Sequence, residues 1–471
     1  MLFNSLGFFV FLAVVLALYY LPILSWTGKK AMLLLASYLF YALWNPPLVL
    51  LLWISTFVDW TAGNQLAKET REGRRKMWLL LSMVVNLGFL AFFKYGNFLL
   101  ENFVSVAQLS GWDYQPQPMD IILPMGISFY TFQTMSYTID IYRRQGEVSR
   151  TFLDFALYVT FFPQLVAGPI VRAKDLITQF YDQKKATAQQ FLWGLFLLTL
   201  GLFQKVVLAD TLLSGTSDTV FGSKQLLHGL DAWAGTLAFS GQIFFDFAGY
   251  STCAIGIALM LGIVLPDNFM YPYGSVGFRD LWRRWHITLS SWLRDYLYIP
   301  LGGNRHGVIR MYVALTLTML LGGLWHGAAW TFVVWGALHG LYLVVERILA
   351  KLFKLKVSGL TTWVLALLTY TFVNFTWVFF RAREFETAKN ILASLFWLNP
   401  KGAKILNSFD LIQVFSVVGI LFIVHVLMRN SNLKTLREKV HPVLFGLIWG
   451  VLVFLLGIAQ TSGEQFIYFQ F

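Results

Sequence analysis

A dozen apolar segments fill this chain, near residues 5–24, 31–44, 48–62, 77–100, 121–142, 152–168, 189–209, 231–262, 311–345, 361–380, 410–428 and 442–460. A helix needs about 20 residues to cross the hydrocarbon of a bilayer, and most of these runs reach that length. Apolar residues make up 57% and charged residues only 13%, where a water-soluble domain carries roughly 25% charge. The 18 Trp, 20 Tyr and 44 Phe suit wide lipid contact and two interfacial belts. The fold class read from this pattern is all-α: a multi-pass integral membrane helical bundle in a lipid bilayer, a single membrane-embedded domain over 1–471.

Two short runs, 31–44 and 48–62, flank Asn45-Pro46-Pro47 and read as tilted helices forming a hairpin. The 152–168 segment ends in Pro163, Gly168 and Pro169, and reads as a re-entrant dip. Broken backbone at membrane depth survives only where protein or a cavity covers it. The N-terminal run lacks a basic start and a small-residue cleavage site, so it reads as a retained helix. No internal repeat or soluble domain is evident.

The net charge of +12 sits in short loops between apolar runs. That placement suits orientation by the positive-inside rule and gives no reason to expect nucleic acid. Assigning Lys29, Lys30, the basic cluster 68–76, Arg143, Lys184, Lys185 and 429–439 to the cytoplasm places both termini outside. Arg381, Arg383, Lys401 and Lys404 fit that alternation poorly. Cys253 is the only cysteine, which excludes an intramolecular disulfide, a Cys-based zinc site and an iron–sulfur cluster.

The stretch 263–310 is too irregular for one span and too aromatic for a solvated loop. It reads as amphipathic helices on the cytoplasmic face. A helix over 279–297 would gather Trp282, Trp285, Leu289, Trp292 and Tyr296 on one face, with Arg283, Arg284 and Arg294 close by and His286 adjoining. Such a face suits a ligand with rings and phosphates. It equally suits an interfacial helix whose Trp side chains lie at headgroup level and whose Arg side chains meet lipid phosphate.

His326 stands in the middle of an apolar run, with no Asp, Glu, Lys or Arg from Leu315 to Gly340. An ionisable ring in hydrocarbon needs a partner or a task. Gly322, Gly323, Gly327, Ala328 and Ala329 around it allow helices to approach closely or leave room for a substrate. His326 is then either a structural hydrogen-bonder or a neutral base that takes the proton of a hydroxyl attacking a thioester. His339 reads as structural. Asp246 either binds a cation or holds a helix break, the second being favoured, and Asp59 marks a membrane boundary. The ending "SGEQFIYFQF" reads as an extracytoplasmic aromatic tail over 461–471 that folds back onto the bundle or anchors at the membrane surface. Phosphate-loop, serine-elbow and HExxH zinc motifs are absent.

The blocks "ILPMGISFYTFQTMSYTIDIYR" (122–143), "FFPQLVAGPIVR" (161–172), "FRDLWRRWHITLSSWLRDYLYIPLGGNR" (278–305), "GGLWHGAAWTFVVWGALHG" (322–340) and "NFTWVFFRAREFETA" (374–388) carry a resemblance. They are similar to the membrane-bound O-acyltransferases, above all the bacterial branch acting in alginate O-acetylation and teichoic-acid D-alanylation. The resemblance covers nearly the whole chain. It implies about eleven spanning helices around a central funnel, an acyl donor entering from the cytoplasm, His326 at the narrow centre as catalytic histidine and His286 as second catalytic position. Donor contacts would come from Trp282, Arg283, Arg284, Trp285 and Arg294, with no metal and no permanently bound cofactor.

The resemblance further implies a membrane O-acetyltransferase, in a bacterial cytoplasmic (inner) membrane, that moves acetyl from acetyl-CoA toward an exported polysaccharide. A secreted or membrane-anchored esterase-like partner would complete the transfer, and Tyr468 in the tail would relay the acyl group as an ester. Delivery of D-alanine from a carrier-protein thioester is the alternative within the fold. A transporter or flippase is the alternative outside it, although no paired repeats are visible.

Overall fold

The computed structural model describes residues 3–353 and 357–459, and they fold as helices joined by turns. Among the described residues eight helices are long and apolar enough to cross a membrane. Two shorter apolar helices, Leu6–Tyr20 and Pro442–Ile458, accompany them. The chain forms two compact units, one of residues 1–195 with 254–266, the other of 196–253 with 267–471.

In the first unit, serines start the leading helices. Ser5 accepts the Phe8 N–H at Leu6–Tyr20, and Ser25 accepts the Gly28 N–H at Trp26–Ala42. The Asn45-Pro46-Pro47 break separates Trp26–Ala42 from Val49–Lys68, as its proline content requires. Asp59 departs from expectation. It is wholly buried within Val49–Lys68, away from any helix end. Ser82 and Asn86 of Glu72–Leu109 donate to its carboxylate at 2.5 and 2.8 Å. Asn86 Oδ1 in turn accepts from Ser55 at 2.6 Å and from Thr134 of Ile127–Tyr142 at 3.2 Å. Three helices thus supply the donors that water would supply at a boundary, and this makes a buried carboxylate tolerable.

The expected break in the helix is present. The helix Phe152–Thr160 ends at Phe161, and 161–171 continues as buried, non-helical backbone. Its polar groups are met by side chains: Phe162 N–H donates to Ser37 Oγ at 3.1 Å, and Tyr158 OH to the Val171 carbonyl at 3.1 Å. Lys30 is buried in an ion pair with Asp154.

In the second unit the apolar run around His326 is two helices, Val308–His326 and Trp330–Leu352. His326 is the last residue of the first, and Gly327 beyond it is extended. The helices press together through glycine. A Cβ on Gly323 would lie 2.3 Å from the Phe332 carbonyl oxygen, and one on Gly336 would lie 2.3 Å from that of Met319. Small residues permit this approach, and it turns an apparent midspan histidine into one at a helix end.

Asp246 also departs from expectation. The helix Gly229–Met260 runs unbroken through it, and Lys205 pairs with its carboxylate at 2.5 Å and with Asp210 at 2.9 Å. Lys205 and Asp210 belong to a π-helical stretch, Phe203–Ser214. The irregular backbone is therefore on the partner segment, and the acid is neutralised by a cation. Arg381, awkward for topology, pairs with Asp218 at 2.6 Å.

The stretch 279–297 is several short pieces. Phe278–Leu281 is one turn, 282–286 are non-helical, Ile287–Leu293 follows, and Arg294–Tyr298 is π-helical. The expected single aromatic face is thereby divided: Trp292 packs on Tyr296 at 5.0 Å, while Trp282 and Trp285 turn to other rings. Carboxylates hold the first turn in place. Glu346 accepts the N–H groups of Phe278 and Arg279 at 2.5 and 3.0 Å. Asp280 accepts the Val276 N–H at 3.0 Å and ion-pairs with Arg284 and Arg429, both at 2.8 Å. Burial raises the Asp280 pKa, but the Val276 N–H and the two guanidiniums outweigh it and hold the carboxyl below its ordinary value.

Two outcomes follow from this packing. Gly323→Val should cost about 1–3 kcal/mol, read as a lower thermal midpoint in detergent. Gly419→Ala, where nothing lies within 4 Å of a Cβ, should leave that midpoint unchanged or raised. The Asp280 clamp has a defined pH sign. A lowered folded pKa gives stability that is complete above the unfolded value of about 4 and is lost as pH falls through the folded one. The midpoint difference between wild type and Asp280→Asn should be full at pH 7 and shrink only below about pH 4.

Candidate active site

His326 is 3% exposed and is surrounded by rings. Trp325 and Trp335 lie 5.0 Å away and Phe380 5.3 Å away, centroid to centroid. The hairpin positions these groups: Trp325 precedes His326 on one helix, Trp335 faces it from the other, and Phe380 comes from Leu360–Arg381. Trp325 also meets His286, at 5.9 Å. The two histidines, 40 positions apart in sequence, thus contact one indole.

His286 is fully buried and starts the helix Ile287–Leu293 in a left-handed conformation, φ 43° and ψ 56°. That conformation is uncommon outside glycine and persists where the surroundings over-determine it. Backbone hydrogen bonds do so on both sides, Met270 N–H to the Arg284 carbonyl and Ile287 N–H to the Asn268 carbonyl, each 2.9 Å. The ring packs edge-on to Phe247 at 4.6 Å, and its Nδ1 lies 3.1 Å from Asn268 Oδ1. Burial pushes its pKa down to about 3, so the imidazole is neutral.

Rings continue the site beyond His326. Trp335 stacks on Trp377 at 6.1 Å, and Trp377 meets Trp285 at 5.1 Å. Trp282 packs on Trp335 at 5.8 Å and on His339 at 5.2 Å. His339 Nε2 is 3.1 Å from Thr376 Oγ1. The Thr376 hydroxyl donates to the Val373 carbonyl at 2.7 Å, so the imidazole is the donor to Thr376 and Nδ1 carries the lone pair. Among the described residues, the indole N–H groups of Trp282, Trp285, Trp335 and Trp377 and the Nδ1 of His339 have no hydrogen-bond partner in the chain. Buried polar atoms are usually satisfied, each at a cost of about 1–3 kcal/mol if left unmade. A ligand with an apolar body and a few acceptors suits such surroundings.

The site residues expected from sequence are distributed unevenly. His286 and His326 come together through Trp325, and Trp282 and Trp285 join the same ring cluster through Trp335 and Trp377. The arginines do not converge. Arg284 is held by Asp280 and by the Arg429 carbonyl, Arg294 pairs with neighbouring Asp295 at 2.7 Å, and Arg283 is exposed. Tyr468 lies outside the described residues. Among the described residues no group of three or more His, Cys, Asp or Glu could hold a metal ion.

Sequence reading missed Trp335, Trp377, Phe380 and Asn268. The first three lie within blocks that carry the resemblance, and contacts alone separate them from neighbouring aromatics. Asn268 gives no signal of its own, because its approach to His286 depends on the left-handed turn. Chemically, an imidazole in a buried aromatic enclosure can accept a proton from a hydroxyl while a reactive ester is shielded from hydrolysis.

Residues 147–383 match the membrane-bound O-acyltransferase family. The chain is 42% identical over 399 residues to a Pseudomonas aeruginosa protein named probable alginate O-acetylase AlgI, covering 84% of this chain and 75% of the relative. It is 37% identical, over the full length of both, to the protein of the same name from Pseudomonas putida. A Helicobacter pylori peptidoglycan O-acetyltransferase is 39% identical, across 79% of this chain and 74% of that protein. This chain is a membrane acyltransferase and belongs to the membrane-bound O-acyltransferase family.

Proposed function

We propose that this membrane O-acetyltransferase takes acetyl from acetyl-CoA on the cytoplasmic side of a bacterial inner membrane and passes it toward an exported polysaccharide. The observation that carries the reading is the pair of buried imidazoles, His286 and His326, on a single indole within a buried ring cluster. The similarity to proteins named for alginate and peptidoglycan O-acetylation supports acetyl as the acyl group and a polysaccharide as the acceptor.

In this reading His326 is the general base. It takes the proton of the accepting hydroxyl as that oxygen attacks the thioester carbonyl, the C–S bond breaks and the thiolate leaves with the proton. His286 orients the acceptor. Trp282 and Trp285 line the donor path. Arg283, exposed beside them, meets donor phosphate, while Arg284 and Arg294 are engaged by their carboxylate partners. The donor is a substrate that leaves after each turn. Both termini are extracytoplasmic. The Tyr468 phenol is the first acceptor, and a secreted or membrane-anchored esterase-like partner carries acetyl from it to sugar.

His326→Ala, at unchanged membrane abundance, should lower glycan acetyl ester by a factor of about 100 or more, measured as alkali-released acetate. Full ester content would overturn the assignment. Removing residues 466–471 should abolish polymer acetylation while purified protein keeps its thermal midpoint, and normal acetylation by that truncated chain would discard the relay. Labelled acetyl-CoA should label the membranes where a D-alanyl carrier protein does not, and the reverse would transfer the reading to D-alanylation.

A further inference from the structure

Asn268 occupies a position that decides the chemistry of a neighbouring ring. Its side-chain amide has two faces. The Nδ2 face donates to Ser251 Oγ at 3.1 Å. The Oδ1 face receives Thr288 Oγ1 at 2.9 Å and the Thr288 N–H at 3.4 Å. A backbone N–H can only donate, so Oδ1 must be the atom facing Thr288, and the amide cannot be flipped without setting two donors against each other. His286 Nδ1, 3.1 Å from the same Oδ1, therefore meets an acceptor. A neutral imidazole bonding to an acceptor must carry its hydrogen on that nitrogen, which leaves the lone pair on Nε2.

We propose that Asn268 is a positioning residue for acyl transfer, fixing His286 as the Nδ1–H tautomer so that Nε2 presents a lone pair to the O–H of the accepting hydroxyl. The inference deepens the functional reading above and rests on it for the place of His286 in the transfer site. The grip on His286 is double. Asn268 holds the ring through its side chain, and its carbonyl holds the adjoining Ile287 N–H, pinning the left-handed turn that aims the ring. The opposite tautomer would set a bare Nδ1 lone pair against the Asn268 oxygen and put a hydrogen where the entering hydroxyl's hydrogen bond has to be accepted. The roles then divide in time: the hydroxyl's single hydrogen first bonds to His286 Nε2, which seats the oxygen, and then turns to His326, which takes the proton as the C–O bond forms and the C–S bond breaks.

The test uses the full-length protein in proteoliposomes, with acetyl-CoA as donor and the amount of folded protein fixed by size-exclusion chromatography. Asn268→Leu removes the acceptor, and Asn268→Asp keeps an oxygen toward Nδ1 and Thr288. Asn268→Leu should lower kcat by about 10–100-fold, the usual effect of losing an outer-sphere partner, with KM for acetyl-CoA changed by less than about twofold. Asn268→Asp should retain most of the activity. A packing role predicts the opposite order, since a buried carboxylate perturbs the fold more than leucine does, and Asn268→Asp falling as far as Asn268→Leu would overturn the proposal. Solid-state 15N spectra of ring-labelled histidine, with His286 assigned by its loss in His286→Gln, read the tautomer directly. A protonated Nδ1 with a bare Nε2 is expected, and a protonated Nε2 overturns the proposal whatever the kinetics. Full transfer by His286→Gln would instead remove His286 from the transfer site, a failure of the underlying reading that the kinetics of that variant alone reveal.

Discussion

The second unit depends on how closely two backbones can approach. Where Gly323 meets the Phe332 carbonyl and Gly336 meets that of Met319, the helices Val308–His326 and Trp330–Leu352 touch main chain to main chain. This contact sets the depth at which the first helix stops and the rotation at which the second begins, and so brings Trp335 to face His326. A bulkier residue at the crossing would move the ring against the imidazole even if both helices still formed. Dispersion contacts are short-ranged, and in lipid they are a main source of helix–helix attraction.

Charge is used sparingly in both units, and the buried charges described above have partners. Lys205 sits between Asp210 and Asp246, Lys30 meets Asp154, and Asp280 bridges Arg284 and Arg429. Removing one partner from such a set leaves an uncompensated charge, which costs far more than the pair itself contributes. The pairs thereby fix register between segments distant in sequence, and the Asp280 clamp seats the turn that leads into His286. The site itself is different. Its histidines, His286 and His326, are buried among aromatic rings, with no carboxylate among the ring partners described for them.

Much of this was legible in the residues. Long apolar runs gave the helical class, Asn45-Pro46-Pro47 gave a true helix break, and the proline-rich 161–171 stretch gave buried irregular backbone. The histidines of the two aromatic blocks were identified as candidates, and the structure brings them onto one indole. What was hidden depended on partners. Asp59 as a boundary and Asp246 as the holder of a helix break both fail because the groups that satisfy them, Ser82 and Asn86 for the first and Lys205 for the second, come from other segments. The division of 279–297 was invisible because its periodicity is compatible with one helix, and the left-handed turn at His286 overrides it. His326 looked central because hydropathy does not register a glycine break in the middle of an apolar run.

The polar knot at Asp59 bears on how the chain enters the bilayer. A carboxylate at the centre of a lone spanning segment disfavours insertion by roughly 2.5–3.5 kcal/mol. Its donors sit on Glu72–Leu109, the very next segment to leave the ribosome, and Thr134, which braces Asn86, arrives on Ile127–Tyr142. Val49–Lys68 is therefore a poor solo traveller through the translocon. Pairing with Glu72–Leu109 offsets that penalty, because the carboxylate then finds its donors inside the protein.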